Sequence, residues 1–306
     1  MPVSWRIVEE LENWEEAGRI AHKVLGEAVD TLHVGMPLLE LAERLEGEIR
    51  RLGGQPAFPV NISINEIAAH YSPRVGDDAV VPRGAVVKVD LGVHIEGCIA
   101  DAAITVALDV GRESLVRAAK RALGRALAVM RPGVRLSEVG GVIERAVKSL
   151  GFKPIVNLSG HSMSKYSLHA GKSVPNVAVR WGGKARVGEV YAIEPFTTNG
   201  VGYVVEARYG YIYRVASIKA TGEKELDSML RSLWSSYRGL PFSERWVYSS
   251  MGSEGLRVLK RLLRLRRVQV YPVLVEKAGG LVAQFEDTVV ITREGVINTT
   301  RILDLV

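Results

Sequence analysis

The chain has 306 residues, of which 47% are hydrophobic and 24% are charged, and it carries a formal net charge of +6 with a pI of about 9.4. These values are typical of one globular unit with a large core and, at most, a modest inserted module. No apolar run reaches the roughly 18 residues that cross a bilayer, and the acidic, amphipathic N-terminus is unlike a signal peptide. Because Cys98 is the only cysteine, an internal disulfide is excluded, and we expect a cytoplasmic protein with no membrane partner.

The first half of the chain combines helices with a β-hairpin. Apolar residues recur at helical spacing in four segments: 5–31, 37–52, 113–130 and 137–150. Between the second and third segments, 86–95 and 99–108 are rich in β-branched residues and are joined by Glu96-Gly97, which predicts a hairpin.

The second half is mainly β-like, with one helical interruption. Segments of strand character are predicted at 187–196, 201–205, 211–218, 268–271, 282–291 and 298–303. The block 220–267 instead has apolar residues at helical spacing. A helical block inside a series of strands predicts an insertion into a single α+β domain covering 1–306, rather than a separate terminal domain.

Two aspartates lie inside apolar strands of the predicted hairpin. An ionised carboxylate buried without a partner costs several kcal/mol, so Asp90 and Asp101 require an explanation. With Glu96-Gly97 at the centre of the turn, Asp101 is the diagonal neighbour of Asp90, whereas with Ile95-Glu96 at the centre the two are directly opposite. Either register puts both side chains on one face, about 5–8 Å apart, where two like charges share a cation or a proton. The alternative is a pair of solvent-facing aspartates at strand ends.

Three further side chains extend this set. His161 follows Gly160, where the backbone can approach a neighbour closely, and Glu194 and Glu286 each lie in an apolar strand. Any one of them has a purely structural interpretation. Four carboxylates and one imidazole together form an oxygen-rich, highly charged ligand set, which favours two divalent ions about 3.5–4 Å apart over a thiolate-type zinc site.

These residues lie in motifs that resemble the type 2 methionine aminopeptidases, in their short archaeal form, over nearly the whole chain. The matching segments are Asn65-Glu66-Ile67-Ala68-Ala69-His70, the Asp90–Asp101 hairpin, Asn157-Leu158-Ser159-Gly160-His161, His169-Ala170-Gly171, Ile193-Glu194-Pro195 and Ala283-Gln284-Phe285-Glu286. The resemblance implies the pita-bread α+β (α/β) fold, in which two similar halves enclose the metals. It also implies that 220–267 is the helical insertion of type 2 enzymes.

The resemblance further implies a role for each site residue. Two divalent ions (Co, Mn, Fe or Zn) would be bound by five residues: Asp90, Asp101, His161, Glu194 and Glu286. Of these, Asp101 and Glu286 would bridge the two ions. Glu194 would also shuttle a proton while a metal-activated hydroxide attacks the first peptide bond of the substrate. His70 and His169 match positions that contact the scissile amide and the carbonyl, and Phe58, Leu168 and Tyr271 match positions that line the methionine pocket.

The family's implied partner is the N-terminal methionine of nascent polypeptides, and we expect a monomer. The segment 257–267 holds six basic residues, which we interpret as the solvated face of an inserted helix, with a contact to RNA or the ribosome as the alternative. One departure from the family pattern is Asp287, which follows the last expected ligand where histidine is common, and which we expect to change hydrogen bonding around the metals.

Two other functions remain open at this point. Proline-specific peptidases, such as aminopeptidase P and prolidase, share the fold and ligand set but carry a large N-terminal domain, whereas only about 60 residues precede the first motif here. A non-catalytic relative that binds RNA or protein would have lost ligands, whereas all five positions hold competent donors. We therefore expect a dimetal hydrolase.

Overall fold

The computed structural model describes residues 3–180 and 182–305. In these stretches six α-helices bury apolar side chains that recur at helical spacing. Their bounds are α1 Val3–Thr31, α2 Leu38–Arg51, α3 Glu113–Val129, α4 Leu136–Lys148, α5 Lys224–Tyr237 and α6 Glu244–Arg264. Short 3-10 helices lie at Val110–Arg112 and Ile302–Leu305. Among the described helices, none is both long and apolar enough to span a membrane.

Seventeen strands in the described residues pair antiparallel in five sheets. They are β1 Gln55–Ile64, β2 Ile67–Ala69, β3 Val86–Ile95, β4 Cys98–Ala107, β5 Lys153–Pro154, β6 Ser159–Met163, β7 Ser173–Pro175, β8 Val190–Ile193, β9 Phe196–Thr198, β10 Val204–Glu206, β11 Ile212–Val215, β12 Phe242–Ser243, β13 Val268–Tyr271, β14 Leu274–Glu276, β15 Val282–Gln284, β16 Asp287–Ile291 and β17 Val296–Asn298. The two sheets that matter most for the site have the orders β1-β3-β4 and β17-β16-β8-β6-β7.

The molecule consists of two halves of similar make-up, as the resemblance implies. In the first half, α1 and α2 pack on the β1-β3-β4 sheet, and in the second half α3 and α4 pack on the strands around β8 and β7. One hydrophobic core joins the halves, from Ile20 and Leu45 on the first helix pair to Leu123 and Ile143 on the second. The predicted α+β architecture is therefore confirmed.

The hairpin of β3 and β4 adopts the first of the two predicted registers. Ile95 pairs with Cys98, so Glu96 and Gly97 form the turn, and both have positive φ angles of 49° and 88°. Asp90 consequently lies opposite Ala103, and Asp101 is its diagonal neighbour on the same face.

The predicted helices of the first half are confirmed to within a few residues, and β13 has the predicted bounds 268–271, but the other strands of the second half are shorter than predicted. The strand predicted at 298–303 is wrong, because β17 ends at Asn298. There the Asn298 side-chain oxygen accepts hydrogen bonds from the backbone N–H groups of Thr300 and Arg301, and Arg301 has a φ of 50°. This side-chain-capped turn leads into the terminal 3-10 helix.

The block 220–267 is largely helical, as predicted, and contains α5 and α6 with the two-residue strand β12 between them. These elements have a hydrophobic cluster of their own, which includes Leu226, Leu230, Phe242 and Leu262. Strand β12 pairs with β11, and β11 pairs with β13, so this cluster is continued by strands outside the helical block.

A buried ion pair connects α6 to α2. The Arg245 guanidinium donates to both carboxylate oxygens of Glu46, at 2.6 and 3.0 Å, and the two residues are only 5% and 2% exposed. Glu46 also accepts hydrogen bonds from the Trp246 indole N–H at 2.7 Å and the Val60 backbone N–H at 3.2 Å. Because each oxygen has two donors, the carboxylate is fully satisfied.

We predict that Glu46→Gln lowers the free energy of unfolding by about 3 kcal/mol, because it leaves the Arg245 charge buried without a counter-ion. Urea denaturation measures the change. Glu48→Gln is the matched control, because Glu48 lies on the same helix and its partner Arg51 is exposed, so stability should be unaffected. Equal effects of the two substitutions would show that the buried pair does not stabilise the fold.

Candidate metal centre

The five residues predicted as metal ligands converge where the two halves meet. Asp90 and Asp101 come from the β3–β4 hairpin, and His161 lies on β6. Glu194 directly follows β8 and Glu286 directly precedes β16. Because β6, β8 and β16 are adjacent in one sheet, their site residues are brought side by side.

Hydrogen bonds to the main chain and a close approach at a glycine hold these elements together. The backbone N–H of Glu286 donates to the Ala103 carbonyl at 3.0 Å, which joins the second half to the hairpin. The Thr288 hydroxyl bridges the main chain of Asp101, accepting from its N–H and donating to its carbonyl, both at 2.8 Å. Gly160 allows β6 to approach β8, since a Cβ there would lie 2.3 Å from the Ala192 carbonyl oxygen.

Ligand atoms of three side chains cluster closely. One ligand atom from each of Asp101, His161 and Glu286 lies within 4.8 Å of the other two, and all three residues are buried. The His161 Nε2 atom also lies 3.6 Å from a carboxylate oxygen of Glu194. Asp90 extends the cluster from the neighbouring strand, so four carboxylates and one imidazole lie together.

Burial makes this arrangement unfavourable for the protein alone. Desolvation raises the pKa of Asp90 to about 7. Desolvation and then the neighbouring carboxylates raise the pKa values of Asp101, Glu194 and Glu286 well above their usual range. Desolvation also lowers the pKa of His161 to about 3, so its imidazole is neutral and its ring nitrogen can bind a cation.

Several buried atoms in the cluster have no hydrogen-bond partner within the described residues. They are Oδ1 of Asp90, Oε1 of Glu286 and Nδ1 of His161. Unpaired buried oxygens of this kind are rare in proteins and costly. Oxygen donors with one imidazole, packed this closely, fit one or more divalent cations, and the residues present therefore fit a metal.

The structure adds Gln284, a residue to which the sequence analysis gave no role. Its side chain is 1% exposed, and its amide nitrogen lies 3.1 Å from a Glu286 oxygen, 3.3 Å from an Asp90 oxygen and 3.5 Å from a Glu194 oxygen. A neutral amide donates to these carboxylates without adding charge. In the strand predicted at 282–291, alternation puts Gln284 on the same face as Glu286, and this was the signal that the sequence offered.

Asp287, the departure from the family pattern, faces away from the cluster. Its Oδ1 atom accepts hydrogen bonds from the Thr300 hydroxyl at 2.6 Å and from the Ile302 backbone N–H at 2.8 Å. The Thr300 hydroxyl in turn accepts from the Thr288 N–H at 2.9 Å. Asp287 therefore binds the C-terminal segment to β16, the strand that Glu286 directly precedes.

A pocket of about 520 Å³ of empty volume, its mouth included, opens onto the cluster. All ten predicted site residues line it: Phe58, His70, Asp90, Asp101, His161, Leu168, His169, Glu194, Tyr271 and Glu286. Four further lining residues escaped the sequence analysis, which offered no signal for them: Asn61, Ala69, Ile212 and Pro241.

The two pocket histidines beyond the cluster are held in defined positions. His70 has a φ of 66°, a strained backbone conformation of the kind found at functional sites, and its Nδ1 donates to the Pro272 carbonyl at 3.1 Å. Burial lowers the pKa of His70 to about 4, so the ring is neutral and its Nε2 is an acceptor. His169 lies 4.3 Å from the His161 ring, centroid to centroid.

The apolar wall of the pocket is built around a glycine. Phe58 pairs with Gly92 on β3, and Gly92 pairs with Asp101 on β4. A Cβ at Gly92 would lie 2.4 Å from the Phe58 ring, so only glycine lets the ring lie this close to the hairpin. Tyr271 completes this wall edge-on to His70, with 5.5 Å between ring centroids.

A two-half α+β fold around a buried cluster of carboxylates and histidine defines a metal-dependent hydrolase. The sequence model of metallopeptidase family M24 matches residues 12–293, and the chain belongs to this family. It is 45% identical to the methionine aminopeptidase of Pyrococcus abyssi over 287 residues, which cover 93% of this chain and 97% of that protein. It is 44% identical to the methionine aminopeptidase of Methanocaldococcus jannaschii over 295 residues, which cover 95% and 100%.

The fold is also that of a solved bacterial enzyme. The methionine aminopeptidase of Thermotoga maritima superimposes with a TM-score of 0.70 at 23% identity, covering 95% of this chain and 96% of that one. At this identity the likeness shows a shared fold alone. The predicted family and fold class are therefore confirmed.

Proposed function

We propose that this chain is a methionine aminopeptidase that removes the initiator methionine from the N-terminus of other polypeptides. The observation that carries the proposal is the buried carboxylate–histidine cluster in a pocket that also has apolar side chains in its wall, in a chain 45% identical to such an enzyme along nearly its whole length. An exopeptidase needs a pocket that admits one side chain beside the scissile bond, and apolar side chains of Phe58, Leu168 and Tyr271 line this pocket next to the cluster.

The proposed ligands are Asp90, Asp101, His161, Glu194 and Glu286, which would hold two divalent ions of cobalt, manganese, iron or zinc. Asp101 and Glu286 would be shared by the two ions, as the family resemblance implies, and ligand atoms of both lie within 4.8 Å of each other and of His161. When bound, such ions supply Lewis acidity that polarises the scissile carbonyl and lowers the pKa of water. Gln284 would keep three of the carboxylates oriented toward the ions.

Glu194 and the remaining pocket residues would bind the substrate and move its protons. Glu194 would accept a proton from the attacking water and deliver it to the departing amine. His70 would accept a hydrogen bond from the scissile amide through Nε2, since its Nδ1 is bound to Pro272, and His169 would contact the substrate carbonyl. The apolar surfaces of Phe58, Leu168 and Tyr271 would enclose the unbranched thioether side chain.

We further propose that 220–267 is an inserted helical subdomain of a monomeric, single-domain enzyme that meets nascent chains in the cytoplasm. The separate apolar cluster around α5 and α6 supports the subdomain. The basic segment 257–267 is proposed to be a solvated helix face rather than a ribosome contact, because Arg257 and Arg261 make ion pairs with glutamates of the same subdomain. Substitution of Arg257 and Arg261 by glutamine should therefore leave the affinity for ribosomes unchanged in a binding assay.

Hydrolysis of the peptide Met-Ala-Ser tests the proposed function. Purified protein supplied with manganese, cobalt, iron or zinc should release methionine, and a chelator should abolish the release. Asp101→Asn should lose the activity, because it removes a proposed bridging carboxylate. Cleavage of Xaa-Pro peptides but not of Met-Ala-Ser would indicate a proline-specific peptidase. An absence of chelator-sensitive release with every metal would indicate a non-catalytic protein.

We predict that His70→Ala lowers kcat by about 100-fold while the bound metal content stays unchanged, because His70 contacts the substrate and not the ions. Steady-state kinetics and elemental analysis of the same preparation measure both quantities. His33→Ala is the control, since His33 is exposed and lies outside the pocket. Loss of metal from the His70 variant would instead identify His70 as a ligand.

A further inference from the structure

A second cavity, which we call the α2–α6 cavity, lies between the helical block 220–267 and the first half of the molecule. It has about 1480 Å³ of empty volume, its mouth included, and is lined by residues of α2, the β3–β4 hairpin and the facing parts of α5 and α6. No residue lines both this cavity and the metal pocket. In two places, however, residues that are close in sequence line one cavity each. Tyr166 lines this cavity and Leu168 lines the metal pocket, and Leu240 and Pro241 are divided in the same way.

Two strained residues meet at the wall of this cavity. Tyr166 has a φ of 56° and Arg238 has a φ of 53°, which side chains other than glycine rarely adopt. The Arg238 guanidinium lies 4.5 Å above the Tyr166 ring, and a Cβ on Gly239 would lie 3.2 Å from the Tyr166 carbonyl oxygen. Backbone strain of this kind persists where surrounding structure enforces it, and it is concentrated at ligand clamps and active sites.

A second arginine is held in the same manner. The Arg50 guanidinium lies 5.5 Å from the centre of the Trp246 ring. Among the described residues, neither Arg50 nor Arg238 forms an ion pair with a carboxylate, whereas their neighbours Arg51 and Arg245 do. Stacking on an aromatic ring fixes a guanidinium without using its N–H donors, which remain available to an anion.

The other groups of the cavity are compatible with an anion. Glu46 is neutralised by Arg245 and has no free acceptor position. The remaining carboxylate, Glu43, lies two helical turns before Arg50 on α2, about 10 Å along the helix axis. Serine hydroxyls also line the cavity at Ser235, Ser236 and Ser249, whereas the hydroxyl of Ser250 already donates to backbone carbonyls of α6. Hydroxyls and guanidinium N–H groups are the usual donors to phosphate oxygens.

We propose that the α2–α6 cavity binds a phosphate group through Arg50 and Arg238, carried by a small phosphorylated metabolite or by RNA. The cavity fits an oxyanion better than an apolar ligand because two exposed guanidinium groups, those of Arg50 and Arg238, have no carboxylate partner among the described residues, whereas the buried carboxylate Glu46 is already paired. The phosphate would lie against the turn that contains Tyr166 and continues to Leu168 and His169 in the metal pocket.

Isothermal titration of the metal-loaded protein tests this proposal with three probes: pyrophosphate, adenosine monophosphate and a ten-nucleotide single-stranded RNA. Arg238→Gly and Arg50→Met should each weaken binding of the preferred probe by at least about tenfold, since each removes a charge-assisted contact. Arg238→Gly should also keep or raise the melting temperature, because glycine accepts the positive φ angle without strain. Loss of binding is then separable from loss of folding.

The chain offers a close control for each variant. Arg266→Gly changes an exposed arginine with a φ of 54° that also follows a helix C-terminus but does not line the cavity. Arg51→Met changes the neighbour of Arg50 outside the cavity. Both controls should bind the probes normally. Tighter binding of the small probes identifies a metabolite as the source, and tighter binding of RNA identifies a polynucleotide.

Three results would overturn the proposal. One is the absence of binding for all three probes. Another is binding that persists unchanged in Arg238→Gly and Arg50→Met, which would mean that the phosphate goes to the metal centre. The third is equal weakening in the variants and their controls, which would reveal non-specific attraction to a basic surface. None of these readouts depends on peptide hydrolysis, so they are independent of the proposed enzyme activity.

Discussion

Four carboxylates confined within one buried cluster are the constraint on which the structure depends. Like charges at this distance in a poorly solvated site repel strongly, and burial already raises the pKa values of all four carboxyl groups. Protonation would relieve the repulsion but would remove the ligand character of the site. Divalent cations relieve it while keeping the oxygens ionised, so the donor set has a clear physical purpose only when metal is bound.

Contacts of the main chain position the elements that carry these carboxylates. The β3–β4 hairpin places Asp90 and Asp101 on one face, and the Ala103–Glu286 contact brings the second half against it. Thr288 holds the main chain of Asp101 from the opposite strand. The proposed ligands from distant parts of the sequence are thus supported by main-chain hydrogen bonds that do not involve their own carboxylates.

Local patterns predicted much of this arrangement, because the hairpin is a local structure. Glu96-Gly97 and strand alternation were sufficient to place two carboxylates on one face, and helical periodicity located α1 to α4. The convergence of His161, Glu194 and Glu286 depends on the pairing of β6, β8 and β16, which are far apart in sequence. Only the resemblance to a family supplied this information. Residues such as Ile212 and Pro241 carry no chemical signal, so only the tertiary structure identifies them as pocket residues.

The strand prediction at 298–303 was wrong for the same reason: the contacts that decide this segment's conformation are tertiary. Its apolar and β-branched residues favour a strand, but Asn298 caps a turn and Asp287 binds the Ile302 N–H from another strand. Tertiary hydrogen bonds to these backbone groups therefore override the local preference. The same contacts explain how an aspartate is accommodated at position 287 without facing the carboxylate cluster.

Anomalous diffraction from crystals grown with Mn²⁺ would test the central claim most directly. Two anomalous peaks are expected, each within about 2.0–2.6 Å of oxygens from Asp101 and Glu286, with the imidazole of His161 bound to one of them. A map with no peak in the cluster, or with manganese bound only elsewhere on the chain, would contradict the claim that the buried carboxylates exist to hold a pair of metal ions.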